Sequence, residues 1–190
     1  MIVEGFNTEG VLMMVNISKC KQYYADQAFN YDYPEGLADL ITKGIVHIIT
    51  TDEGIETIIW EFDPSRINLD EWEYKDSYNY LDIAEGDEVR LVSHADFTQM
   101  CDHHNGDLEA QIESSLFIRN ILNRDHPKDK ETILKEECPK IDLPPGKWMV
   151  NVYISKDTGD YWYPEFTFHF EKTDLVDWEK ITLKPLEFFE

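Results

Sequence analysis

Apolar and polar positions alternate with a period of two over most of this chain, which predicts strands. The run at 11–17 (VLMMVNI) is different: it is β-branched and Met-rich and reads as a buried strand. At 36–43 (GLADLITK), Leu37, Leu40 and Ile41 recur at helical spacing and Gly44 follows, so a short helix is expected there. Strand-like runs at 45–50 and 55–62 are joined by Thr51-Asp52-Glu53-Gly54, and runs at 78–83 and 88–93 by Ala84-Glu85-Gly86-Asp87. Both pairs read as hairpins, because the glycine supplies the positive φ of a tight turn, and Pro64 stops the strand before it. Near the end of the chain, 148–155 and 166–170 alternate cleanly around the turn-forming SKDTGD, and a last strand is expected at 180–183 before the tail LEFFE.

One long helix interrupts this pattern. Leu108, Ile112, Leu116, Ile121 and Leu122 form an apolar stripe, with Asn105 as the expected cap and Asp107 and Glu109 suiting the positive end. It would run roughly 25 Å. The charged stretch 125–140 reads as a surface linker. The predicted fold is mainly β with α: an antiparallel β-sandwich with one long and one short helix, in a single domain over 1–190 with a helical insertion at about 94–140.

Charge changes the picture. The 190 residues carry 39 Asp and Glu against 17 Lys and Arg, a net of −22. Such a surface repels phosphate backbones and anionic lipid, so neither nucleic acid nor a membrane is an expected partner. No run reaches the roughly 18–20 apolar residues of a membrane-spanning helix. With 42% hydrophobic and 13% aromatic residues, the chain has enough core formers to fold. Its three cysteines, Cys20, Cys101 and Cys138, share no metal-site or redox spacing and read as isolated reduced thiols. No secretory leader pattern is present at MIVEGFNTEG, so the cytoplasm is the expected compartment.

Half of the net charge lies in 52–88, where 13 acids meet only Arg66 and Lys75. Within it NLDEWEYKD (68–76) shows no strand period and reads as an exposed connection. Aromatic rings among carboxylates give desolvated contact area plus steering of cations, the composition of a docking patch for a basic protein. The candidate partner-binding residues are Asp63, Asp70, Glu71, Trp72, Glu73, Tyr74, Asp76 and Tyr78.

Catalytic signals are weaker. His94, Asp102, His103, His104 and Asp107 hold metal-ligand chemistry, but no HExxH, HxH or facial-triad spacing turns them toward one ion, so a polar loop before a helix is the preferred reading. His47 and His169 fall on strands and are expected at the surface. Asp157-Thr158-Gly159-Asp160 lacks the alternating ligands of a calcium loop. There is no nucleophile elbow, P-loop or dinucleotide fingerprint, so no cofactor and no catalysis are expected. A metal-dependent hydrolase, or a carbohydrate-binding module using Tyr161, Trp162 and Tyr163, remains the alternative.

The order of a strand, a short helix ending Lys43-Gly44, the run IVHIITTDEGIETIIWEFD and, later, LPPGKWMVNVYIS (143–155) resembles bacterial nuclease inhibitors of the competence-protein-J type. It is also similar to small acidic immunity proteins that neutralise antibacterial toxins. The resemblance carries over no functional residue. It implies a stoichiometric inhibitor of a basic toxin or nuclease.

Overall fold

In the computed structural model, which describes residues 2–7, 10–30, 32, 35–50, 54–157, 165–177 and 179, the strands gather into two sheets that are mostly antiparallel. One is five-stranded: β1 (Ile2–Asn7), β4 (Gly54–Glu61), β9 (Glu165–Thr173), β8 (Gly146–Ser155) and β5 (Trp72–Ile83) in spatial order. The other is four-stranded: β3 (Val46–Thr50), β2 (Val11–Asn16), β6 (Val89–Ser93) and β7 (Lys140–Ile141). Only β4 and β9 run parallel among the described pairs.

β2 shows why its sequence lacks alternation. Leu12 and Met14 join Ile58, Trp60, Val150, Val152, Phe166, Phe168 and Phe170 in a core shared by both sheets. Met13 and Val15 point the other way, into a second core against helices. Every apolar residue of the strand therefore has a buried destination.

Among the described residues five α-helices close the second core, so the two expected helices form and three more join them. These are α1 (Ile17–Tyr24), α2 (Ala38–Thr42), α3 (His94–His103), α4 (Leu108–Leu122) and α5 (Lys130–Glu136). α5 occupies the stretch expected to be a linker, and Ile133 and Leu134 bury it. Among the described residues no helix is long and apolar enough to cross a membrane.

Both expected hairpins are corrected. β3 pairs with β2, whereas β4 lies between β1 and β9 in the other sheet. Likewise β5 pairs with β8 and β6 with β2 and β7. β3 and β4 thus lie in different sheets, and the turn at Ala84–Asp87, with Gly86 at φ of 82°, carries the chain from the five-stranded sheet to the four-stranded one; residues 51–53 lie outside the described set. The strands expected at 148–155 and 166–170 do form, and β8 and β9 pair antiparallel from Lys147–Thr173 to Ile154–Phe166.

The cap of α4 is also corrected. Asp107 caps it, accepting from the Ala110 N–H at 3.1 Å, while Asn105 sits in the preceding turn with φ of 51°. Gly106 follows with φ of 75°, and a Cβ there would lie 2.8 Å from the Cys20 carbonyl oxygen. The connection thus reaches α1 at backbone distance, which only glycine allows. Cys20 and Cys101, far apart in sequence, are brought to an Sγ–Sγ distance of 3.8 Å. The expected strand at 180–183 and the tail lie outside the described residues.

Candidate functional site

On the five-stranded sheet the residues between the core positions face outward. Direct cross-strand partners share a face, so the pairs Asn151–His169 and Tyr153–Thr167 lie opposite the shared core, and Tyr74 joins Tyr153 from β5. Their rings meet at 5.3 Å between centroids, tilted by 60°. Along this face runs an open groove of about 830 Å³ lined by Phe62, Leu69, Tyr74, Tyr153, His169 and Glu171, among others. Phe62 closes one side, 5.8 Å from the Trp148 ring and 5.9 Å from Phe170.

The groove wall is the chain from Phe62 to Tyr74, and its shape follows from local hydrogen bonds. Asp63 accepts from the Ser65 amide at 3.0 Å and hydroxyl at 2.7 Å, starting a short 3-10 turn at Pro64–Arg66. Ile67 is buried and anchors the loop. Asn68 then receives the Asp70 N–H on its side chain and the Glu71 and Trp72 N–H groups on its carbonyl. Lys156, past the end of β8, ties down the far side: its Nζ donates to the Leu69 carbonyl at 2.6 Å and its N–H to Glu71 at 2.8 Å.

The stretch 68–76, expected as an exposed connection, is also corrected. Trp72 to Asp76 is not a connection but the first part of β5, a twelve-residue strand. Register shifts between Tyr74 and Asp76, and again between Tyr78 and Tyr80, put an extra residue into the strand each time. Each bulge inverts the in–out phase and erases the alternation that marks a strand in sequence. Asn79, at the second shift, has φ of 41°.

The candidate binding residues fall along this wall. Asp63, Asp70, Glu71 and Glu73 are exposed, Tyr74 is 46% exposed, and Trp72 is half-buried. Glu73 is paired with Lys75 at 2.9 Å, and Arg66 stands 3.8 Å from both Glu61 and Asp63. The Ser65 hydroxyl and amide, with smaller help from Arg66, hold the Asp63 carboxyl below the usual carboxylate range. Asp76 and Tyr78 lie on β5, but their side chains are outside what the structure describes.

The floor of the groove was not found by the sequence reading. Asn151 and His169 are both buried, with the Asn151 amide nitrogen 3.1 Å from His169 Nδ1 and 3.5 Å from Glu171 Oε2. His169 does lie on the outward phase of its strand, as its position suggested, but it is only 7% exposed. His47 is buried as well, opposite Met14 on β2.

The metal alternative is dispersed over other tasks. Asp102 faces the His103 ring at 3.3 Å, His104 meets the Ser114 hydroxyl at 3.0 Å, and Asp107 caps α4 while binding Lys21 at 2.5 Å. His94 opens α3. Among the described residues no group of three or more His, Cys, Asp or Glu is placed to hold a metal ion. Tyr161, Trp162 and Tyr163 lie outside the described residues, as do Thr158, Gly159 and Asp160.

Comparison with protein-family models, curated proteins and solved structures returns no match.

Proposed function

We propose that this chain is an acidic, non-catalytic binding protein that blocks a basic protein, a toxin or nuclease, in a stoichiometric complex in the cytoplasm. In this reading the chain is a single antiparallel β-sandwich domain that takes no cofactor. The observation that carries it is the rim segment 62–74, whose Asp63, Asp70 and Glu71 are exposed beside an aromatic groove with exposed Phe62, Leu69 and Tyr74, and whose Glu73 is exposed on the other face of β5. Carboxylates in water steer a cationic surface and orient it at modest energy, while the apolar wall supplies desolvated contact area. The net charge of −22 adds long-range attraction.

The reading is tested by mixing the protein with a cationic nuclease, or with a toxin encoded beside it, and measuring affinity as salt rises. Because the screening length falls severalfold between about 50 and 500 mM, affinity should drop steeply over that range. A complex indifferent to salt would contradict the proposal.

A further inference from the structure

The groove floor sets a hydrogen-bond polarity. Glu171, as a carboxylate, only accepts, so the Asn151 atom facing it is assigned as the NH2 group. That same nitrogen faces His169 Nδ1 at 3.1 Å, which makes Nδ1 the acceptor and places the imidazole proton on Nε2. Nε2 has no hydrogen-bond partner among the described residues, although the ring is more than nine-tenths buried and lines the groove. The groove thus presents one N–H donor, at His169, and one anionic acceptor, at Glu171, whose Oε1 likewise makes no hydrogen bond there. Tyr74 and Tyr153 stand on the same face, and the one lysine of the lining, Lys172, has its ammonium 5.9 Å from the Trp148 ring.

From this arrangement we infer that the groove receives an arginine-bearing segment of a basic protein, with the guanidinium on Glu171 beside the two tyrosine rings and a main-chain carbonyl accepting from His169 Nε2–H. The inference rests on the proposed function and names the contact that would give it specificity. A guanidinium fits better than an ammonium because it is planar, stacks on rings and donates two parallel hydrogen bonds to a carboxylate. A free cation would leave the His169 donor unanswered, whereas a peptide answers both groups.

The test uses the full chain and the capped peptide acetyl-Gly-Arg-Gly-amide, followed by proton–nitrogen NMR. Resonances of Tyr74, Asn151, Tyr153, His169 and Glu171 should shift with a dissociation constant in the millimolar range, and the citrulline peptide should bind about tenfold more weakly or worse. Glu171→Gln and Tyr74→Ala should each lose about tenfold in affinity while the amides of Leu108 and Ile112 keep their positions as a control for folding. Equal binding of the arginine and citrulline peptides, or no groove shifts at about 10 mM peptide, would overturn the inference. A cationic nuclease separates it from the broader reading. If Glu171→Gln binds the nuclease like the native protein while reversal of Asp70, Glu71 and Glu73 abolishes binding, the groove inference is wrong and the acidic rim stands. If the rim reversal also leaves binding unchanged, the proposed function itself fails.

Discussion

At Asp107 one carboxylate serves both the helix it starts and the helix beside it. It caps α4 through the Ala110 N–H and takes the Lys21 ammonium of α1 at 2.5 Å. Burial works against its charge, but the Lys21 hydrogen bond, the Ala110 N–H and the Lys21 charge outweigh that and hold its carboxyl below the ordinary value of 3.8. Replacement by Asn keeps a good cap and removes the charge, so Asp107→Asn should cost about 0.5–1 kcal/mol at neutral pH. A carboxyl whose native value is depressed stabilises fully above its unfolded value, and that contribution is lost as pH falls through the native one. Denaturation curves of the two proteins should therefore differ at pH 7 and converge below pH 3.8, toward the lower native value. A gap that stays constant to low pH would show that the charge contributes nothing. The sequence placed Asp107 at the positive end of this helix correctly but took Asn105 for the cap, because both are cap-forming residues two positions apart. What decides between them is the approach of Gly106 to Cys20, a contact 86 residues away in the chain that no local pattern encodes.

Between elements, α3, α4 and α5 are joined by one polar cluster. Arg119 of α4 pairs with the buried Asp96 of α3 and, at 2.5 Å, with Glu137 at the end of α5, while the Gln111 amide donates to Asp96 at 2.9 Å. Removing the guanidinium leaves Asp96 charged and buried, so Arg119→Met should cost about 3 kcal/mol or more. Adding Asp96→Asn removes the orphaned charge and should recover part of that loss, which a double-mutant cycle reads directly. Additive losses would mean that the pair is not coupled. The same three helices show what remains legible from periodicity. The apolar stripe of α4 is buried at Leu108 and Ile112, but Phe117, Ile118, Ile121 and Leu122 are exposed. An apolar stripe marks a helix without telling how far along it the neighbouring helices extend. For the strands the difficulty is different: a glycine turn fixes that the chain reverses, and says nothing about whether the next strand joins the same sheet. In β5 the bulges hide the first part of the strand, and only 78–83 is legible as one.

At the scale of the whole molecule, the charge imbalance was legible by counting, and so was the clustering of acids with rings between 52 and 88. The groove was not, because Asn151, His169 and Glu171 are isolated polar residues on strands whose alternate positions are core; only the pairing of β8 with β9, and of β8 with β5, collects them beside Tyr74. A net charge of −22 attracts cations to every face, whereas a docking surface attracts them to one. The most direct test compares two charge reversals of equal size in binding to the same cationic nuclease. One changes Asp70, Glu71 and Glu73 to Lys on the rim segment; the other changes the exposed Glu109, Glu113 and Glu131 on α4 and α5. The account predicts a loss of about a hundredfold or more for the rim and a change within about threefold for the helices, since patch contacts and not total charge set the dissociation rate. Equal losses from the two variants would contradict it.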